Sequence, residues 1–305
     1  MTLSPSVDAP ESPGWLAPIG WVGASAVAVL ERFGAMALLV PEAIGSVLRR
    51  GDDDDWSLRA STSAELAWML LAGFPLVALV HVAMGSFLSL QAYYGSTFVD
   101  GTGAVVGVGL LRNLASMMTG LTLAGYLPVR IIPELRASRR LRVERATRPD
   151  AGDDDTEPTP SAGRLAASRL LAAVIATPLL SLWGFTVGTV VGWRASESLM
   201  SLPTSTFFLM FIRMIWYRDV VGLILKGAAF GLVIAVIACS EGLKPGASAS
   251  ESSSEGAEFA STYSAMLWAS CLAMLAILLI NMTWFVFVYH AVPVYGPSLL
   301  QPPTP

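Results

Sequence analysis

Long apolar runs separated by shorter polar segments make up most of the chain beyond residue 60. A helix of about 20 apolar residues spans a bilayer, because each residue rises about 1.5 Å and the hydrocarbon core is about 30 Å thick. Such runs must be helical, since the core holds no water to bind free backbone groups. The pattern predicts an all-α integral membrane protein with five transmembrane helices, at Leu66–Leu90, Gly103–Val129, Leu170–Trp193, Val220–Ser240 and Ser264–Tyr289.

The apolar segment ahead of these runs is shorter and interrupted. Trp15–Leu30 is uncharged but covers only 16 residues, a Glu-Arg pair follows it, and the next stretch, Phe33–Val40, is ended by Pro41. We expect this region to form one or two helices that lie in the membrane interface. A sixth, tilted span is the alternative.

Composition divides the chain into four parts. Residues 1–14 are rich in Ser and Pro and are expected to be a flexible N-terminus without a signal peptide. Residues 15–60 hold the interfacial helix region and a linker with basic and acidic residues, 61–290 the five spans, and 291–305 a Pro-rich tail. Within the third part, the short apolar piece Leu202–Ile212 is expected on the far membrane surface.

The basic residues are distributed unevenly over the segments between the spans. With the amino terminus in the cytoplasm, 14 of the 19 Lys and Arg residues lie on the cytoplasmic side and only 3 on the other. Because cytoplasmic loops carry the excess of Lys and Arg, this predicts a cytoplasmic N-terminus and an extracytoplasmic C-terminus. The remaining two, Arg112 and Lys226, lie inside predicted spans.

The composition agrees with lipid as the main solvent and excludes several functions. Hydrophobic residues make up 54% of the chain and charged residues 14%, whereas soluble domains carry about 25% charged residues. A net charge of −4 without a broad basic surface argues against a nucleic-acid partner. Cys239 and Cys271 lie in apolar runs and are read as small hydrophobic residues.

No motif of a catalytic or nucleotide-binding site occurs in the sequence. The phosphate-binding Gly-x-x-x-x-Gly-Lys-Ser/Thr loop, the Gly-x-Ser-x-Gly elbow and the His-Glu-x-x-His zinc motif are all missing. His81 and His290 stand apart, and His81 is expected to be a polar helix-packing residue. The acidic runs Asp52–Asp55 and Asp153–Asp155 are expected to be solvated. We therefore predict a chain that is not an enzyme and binds no metal or cofactor of its own.

A few polar residues remain inside the predicted spans, where a charge costs about 2.5–3.5 kcal/mol on insertion scales. Arg112 and Asn113 lie in the second span, and Asp219 and Lys226 at the start of the fourth. Seven residues are nearly two turns, so Asp219 and Lys226 project from one face. Either Lys226 extends outward along its stem to water, or Lys226 and Arg112 line a polar path between helices. The small residues around Gly227 and Gly231 favour close packing of this helix against a neighbour.

The cytoplasmic loop 134–169 contains two kinds of sequence. Glu134–Arg148 has Arg136, Arg139 and Arg140 at helical spacing, which is compatible with a short amphipathic helix. Residues 149–161, with three consecutive aspartates and two prolines, are expected to be a flexible tether.

Several segments along residues 60–290 together match a known pattern. They are Trp216–Lys226, Phe230–Ile234 and Ala238–Gly242, then Gly85–Tyr93, and Leu110–Leu114 with Leu123–Gly125 and Pro133–Leu135. In these segments and their order the chain resembles the MlaE (YrbE) family, and the match in the fourth span is the most specific. Members of this family are permease subunits of ABC transporters that move lipids with MCE-domain partners.

The resemblance implies an assembly of several subunits. Family permeases have an amino-terminal interfacial helix, five spans and a cytoplasmic coupling helix after the second span, on which a separate ATPase subunit docks. ATP would therefore bind the partner subunit, and this chain would bind no cofactor. A second permease copy, identical or paralogous, would complete a dimer whose interface holds the lipid, and MCE domains would cover the outer face of the bacterial inner membrane.

The resemblance also implies roles for individual residues. The residues carried over to the lipid path are Phe87, Leu88, Gln91, Tyr93, Arg112, Asn113, Asp219 and Lys226. Those carried over to ATPase coupling are Glu134, Leu135, Arg136, Arg139, Arg140 and Leu141. The sequence departs from the family pattern where Asn113 replaces an acidic residue and Tyr126 an arginine, and in its Arg-rich coupling segment.

Two other classes of function remain open from the residues alone. An ion-coupled carrier or channel would use Arg112, Asp219 and Lys226 as an ion path. A non-transporting membrane scaffold would use the spans only to anchor a complex.

Overall fold

A computed structural model describes residues 17–48, 58–95, 102–147, 162–244 and 255–290, and every element in these ranges is helical. The described ranges contain seven α-helices and three stretches with π-helical hydrogen bonding. The α-helices are α1 Ala17–Leu48, α2 Leu58–Gly95, α3 Ala115–Thr147, α4 Ala162–Met200, α5 Thr204–Met214, α6 Tyr217–Leu243 and α7 Glu255–Trp284. The π-helical stretches are Ala104–Val108 and Leu110–Leu114, which precede α3, and Phe285–His290, which follows α7.

The five predicted spans are confirmed as five long apolar helices. They cover Leu58–Gly95, Val105–Leu141, Leu165–Met200, Tyr217–Leu243 and Phe259–Val288. The first has 38 residues and is therefore about 57 Å long, well beyond the hydrocarbon thickness. The helices thus extend past the apolar runs into the polar regions on one or both sides.

The helix α1 differs from its predicted form. The sequence predicted a break at Pro41, but one helix of 32 residues runs through this proline to Leu48. Proline removes a backbone donor and bends a helix, yet Met36, Leu39 and Ala43 on either side of it are buried in the main core. These residues lie on one helical face, so their packing holds the helix together across Pro41. Whether α1 lies in the interface stays a prediction.

The segment after the second span also differs from the prediction. Residues 134–147 do not form a separate short helix but are the last turns of α3, which continues through Pro128 and Pro133. Leu135 is 1% exposed and packs against Gly242 near the end of α6. Because α6 packs against this part of α3, α3 continues as a helix beyond its apolar run.

Small residues set the spacing of the central helices. Helix α4 packs against α2 on one side and against α6 on the other, and α3 packs against α6. A Cβ added at Gly85 would clash with the carbonyl oxygen of Gly188, and one at Gly231 with the carbonyl of Ala173. The predicted close packing at Gly227 and Gly231 is thereby confirmed, since Gly227 lies against the ring of Pro178.

We expect Gly231→Ala to destabilise the protein by about 1–3 kcal/mol, because the added methyl group overpacks the α4–α6 contact. It would lie 2.6 Å from Thr177 Oγ1 and meet the Ala173 carbonyl. The matched control is Gly125→Ala, whose methyl group makes only an ordinary contact of 3.6 Å with Met274. Thermal unfolding in detergent measures both variants, and equal midpoints would contradict the packing described here.

Candidate functional site

Three charged side chains meet inside the membrane-spanning part of the chain. Arg112 Nε donates to Asp219 Oδ1 at 3.1 Å, and Arg112 Nη2 donates to the carbonyl oxygen of Met214 at 3.2 Å. The ammonium of Lys226 donates to the backbone carbonyl of Arg112. The structure therefore joins residues that the sequence separates by more than 100 positions, and we call Arg112, Asp219 and Lys226 the membrane charge cluster.

The start of α6 fixes the position of Asp219. Its Oδ2 accepts the backbone N–H of Trp216 at 3.0 Å, and its side chain is fully buried. A carboxylate in the first turn is also favoured by the positive end of the helix dipole. Asp219 thus receives both an arginine and a backbone donor, which offsets the cost of burying its charge.

Lys226 lies two turns further along α6 and does not extend to water. It is 1% exposed, so the interpretation in which its stem carries the ammonium outward is wrong. Arg112, in contrast, keeps 34% of its side chain exposed. In the cluster Asp219 pairs with Arg112, Lys226 bonds to the backbone of Arg112, and Arg112 is the accessible member.

Arg112 and Asn113 stand in the π-helical stretch Leu110–Leu114, which the sequence analysis did not predict. The N–H of Ala115 bonds to the carbonyl of Leu110, five residues back. Such turns are rare inside α-helices and are frequent at functional sites. A sequence signal for this irregular backbone was present in Gly103, Gly107 and Gly109, just before the stretch, because glycine tolerates irregular helical backbone.

The four predicted lipid-path residues of α2 lie on its last turns. Phe87 is 55% and Tyr93 45% exposed, and Gln91 is exposed too. Leu88 instead packs inward against the small core that contains Val106 and Leu110. Three of the four therefore lie on the outer surface of the chain, and Leu88 connects this end of α2 to the stretch that carries Arg112. Their role in a lipid path stays a prediction.

A second charged group connects three helices at the other end of the bundle. Arg169 of α4 is 6% exposed and forms ion pairs with Glu65 at 3.3 Å and Glu134 at 3.2 Å. Arg130 also pairs with Glu134, and its guanidinium lies 3.5 Å from the centre of the Trp68 ring. This basal cluster was not predicted, because Glu65 and Trp68 are distant in sequence from Glu134 and Arg169 and match no motif.

Most of the predicted coupling residues are engaged within the chain. Besides Glu134 in the basal cluster and buried Leu135, Arg136 donates to Thr262 of α7 at 2.9 Å and Arg139 to the carbonyl of Leu243 at 2.8 Å. The last donation caps the C-terminal end of α6. The remaining two, Arg140 and Leu141, are exposed.

The histidines and acidic residues form no metal site in the described ranges. No group of three His, Cys, Asp or Glu side chains there could hold a metal ion. His81 is fully buried between α2 and α4, its Nδ1 is 2.8 Å from the carbonyl of Val77, and its ring occupies the space beside Gly184. His81 is therefore the packing residue that the sequence predicted. The acidic runs and the side chain of His290 lie outside the described residues.

The five apolar helices define a polytopic α-helical membrane protein. The family model described as "Permease MlaE" matches residues 62–287, which reach from the first of the five spans into the last, and this places the chain in the permease class. The chain belongs to the MlaE permease family, and the resemblance seen in the sequence is confirmed.

Curated relatives agree with this assignment at lower similarity. A probable ABC transporter permease protein of Rickettsia bellii is 27% identical over 58% of this chain and 68% of its own length. A protein of the same description from Rickettsia felis is 25% identical over 74% of this chain and 83% of its own length. A probable ABC transporter permease protein from Synechocystis is 27% identical over 65% of this chain and 70% of its own length.

We expect the Arg112–Asp219 pair to show coupling in a double-mutant cycle of Arg112→Met and Asp219→Asn. Breaking a fully buried pair costs about 3–5 kcal/mol, and we expect about 2–3 kcal/mol here because Arg112 is one-third exposed. The double variant should lose less stability than the two single variants lose in sum, because it removes both charges and so leaves neither unpaired. Unfolding midpoints in detergent measure the cycle, and strict additivity would contradict the pairing.

Proposed function

We propose that this chain is the permease subunit of an ABC transporter that moves phospholipid or another lipid between the membrane and an extracytoplasmic MCE-type partner. The observation that carries the proposal is the family match across all five spans, together with relatives described as ABC transporter permeases. A separate ATPase subunit supplies the energy. A second permease copy, identical or paralogous, completes the transporter in the bacterial inner membrane, with the N-terminus in the cytoplasm.

The geometry supports a lipid path along the exposed end of α2 and the neighbouring charge cluster. Phe87 and Tyr93 present aromatic surface there, which suits acyl chains, and Gln91 adds a polar group. The partly exposed guanidinium of Arg112 is a hydrogen-bond donor for an anionic or zwitterionic head group. In this proposal the lipid occupies the space between these surfaces and those of the second permease copy.

The geometry also divides the proposed coupling residues into two sets. Arg140, Leu141 and the neighbouring Val143 are exposed at the end of α3 and form the proposed contact with the ATPase subunit. Glu134, Leu135, Arg136 and Arg139 instead fasten α3 to α4, α6 and α7. A push on the exposed set is therefore passed to three other helices of the bundle.

Native mass spectrometry of the complex extracted from its own membrane tests the proposal directly. We expect an ATPase subunit, an MCE-domain protein and two permease chains in one assembly, with bound lipid released on collisional activation. A complex with neither an ATPase nor an MCE protein would overturn the proposal. Solute flux without ATP in proteoliposomes of the purified chain would instead identify an ion-coupled carrier or channel.

We expect Arg140→Glu to weaken binding of the ATPase subunit about tenfold, because it reverses a charge in the proposed contact. The matched control is Arg59→Glu, which reverses another exposed arginine on the predicted cytoplasmic side. Binding of the purified ATPase subunit to each variant in nanodiscs measures the effect. Equal affinities for the two variants would exclude Arg140 from the contact.

A further inference from the structure

The backbone of the second span is π-helical in two stretches, Ala104–Val108 and Leu110–Leu114, which lie on either side of Gly109. In an α-helix each carbonyl accepts the N–H four residues on, whereas a π-helical turn uses the N–H five residues on and so contains one extra residue. The stretch Leu110–Leu114 has this second pattern, shown by the bond from the Ala115 N–H to the Leu110 carbonyl. Below this stretch, α3 is a regular α-helix as far as Thr147.

A side chain from another helix binds the backbone inside this turn. The ammonium of Lys226 donates to the carbonyl of Arg112, the central residue of Leu110–Leu114. A hydrogen bond from a charged donor contributes more than an ordinary backbone bond. Lys226 is 1% exposed, so its ammonium is shielded from bulk water.

The same turn is also held through its side chain. The guanidinium of Arg112 bonds to Asp219 of α6 and to the carbonyl of Met214 at the end of α5. Helix α6 therefore holds Leu110–Leu114 twice, by the carboxylate of Asp219 and by the ammonium of Lys226. The two contacts lie seven residues apart on one face of α6.

We propose that Lys226 is a positioning residue whose ammonium keeps Leu110–Leu114 π-helical and thereby sets the rotation of the outer end of the second span. When Lys226 releases the Arg112 carbonyl, the turn converts to α-helix and residues 102–109 rotate by about 100° relative to α3, the angle that one residue occupies in an α-helix. This inference concerns the permease chain itself and does not depend on which cargo or partner is proposed above.

The rotation has a definite consequence for the side chains that precede the turn. When the π-helical turn becomes α-helical, its extra residue joins the regular helix. Each side chain before the turn then takes the direction that the side chain of the preceding residue has now. Val106 is fully buried and Val105 is 49% exposed, so Val106 would move from the core to the outer surface. A displacement of α6 along α3 that breaks the Lys226 bond would thus become a rotation of the span's outer end.

A one-residue deletion tests the extra residue itself. Gly109 lies between the two π-helical stretches and directly precedes Leu110–Leu114. Deleting it removes one residue from this part of the span, and conversion of Leu110–Leu114 to α-helix then keeps 102–108 on their present faces. We expect the purified variant to unfold within a few degrees of the parent. Deleting Met118 in the regular α-helix is the matched control and should abolish folding, because it rotates the whole outer end of the span out of register.

The role of Lys226 is tested by hydrogen exchange of residues 104–114 in nanodiscs, analysed by mass spectrometry. We expect Lys226→Met to raise exchange about tenfold, since the turn loses a charged donor, while Lys226→Arg, which keeps a donor, stays near the parent. In the Gly109-deleted background, Lys226→Met should change exchange much less, because the extra residue of Leu110–Leu114 is then gone.

Two results would overturn the proposal. One is a Gly109 deletion that abolishes folding as the Met118 deletion does, which would show a regular helix at this place. The other is an equal effect of Lys226→Met with and without Gly109, which would reduce Lys226 to a general stabilising contact. Both results are measured on the purified permease alone, so they do not depend on whether an ATPase or MCE protein binds it.

Discussion

The bond network between Arg112, Asp219 and Lys226 is the constraint that fixes how α6 meets the second span. Two cations and a carboxylate lie among apolar helices, where each would be costly without a partner. Asp219 binds the guanidinium of Arg112, and Lys226 binds the Arg112 carbonyl, only if α6 faces the second span at one height and one rotation. This requirement explains why both helices can tolerate ionic residues.

The opposite end of α3 is fastened by a different set of polar contacts. There the helix leaves the apolar core, and Glu134, Arg136 and Arg139 reach α4, α7 and the end of α6. One continuous helix therefore links the basal contacts to the π-helical stretch that carries Arg112. In the proposed transporter, a force applied near Arg140 acts on a rigid element whose far end borders the lipid path.

Close packing makes this arrangement stiff. Glycines at the α2–α4 and α4–α6 contacts bring backbones together without side chains between them, as at Gly85 and Gly231. Packing and hydrogen bonding, rather than hydrophobic exclusion from water, hold helices together in lipid. A stiff central group of helices favours movement of the span's outer end as a unit, about the irregular turn, over gradual bending along the bundle.

The sequence by itself determined the fold class and the number of spans, because a run of apolar residues long enough to cross lipid has no stable form other than a helix. It also placed Asp219 and Lys226 on one face, which follows from helical spacing alone. It could not give the partner of Lys226, the basal cluster around Arg169 or the continuation of α1 through Pro41. Those depend on which faces of distant helices meet, and only the tertiary structure decided them.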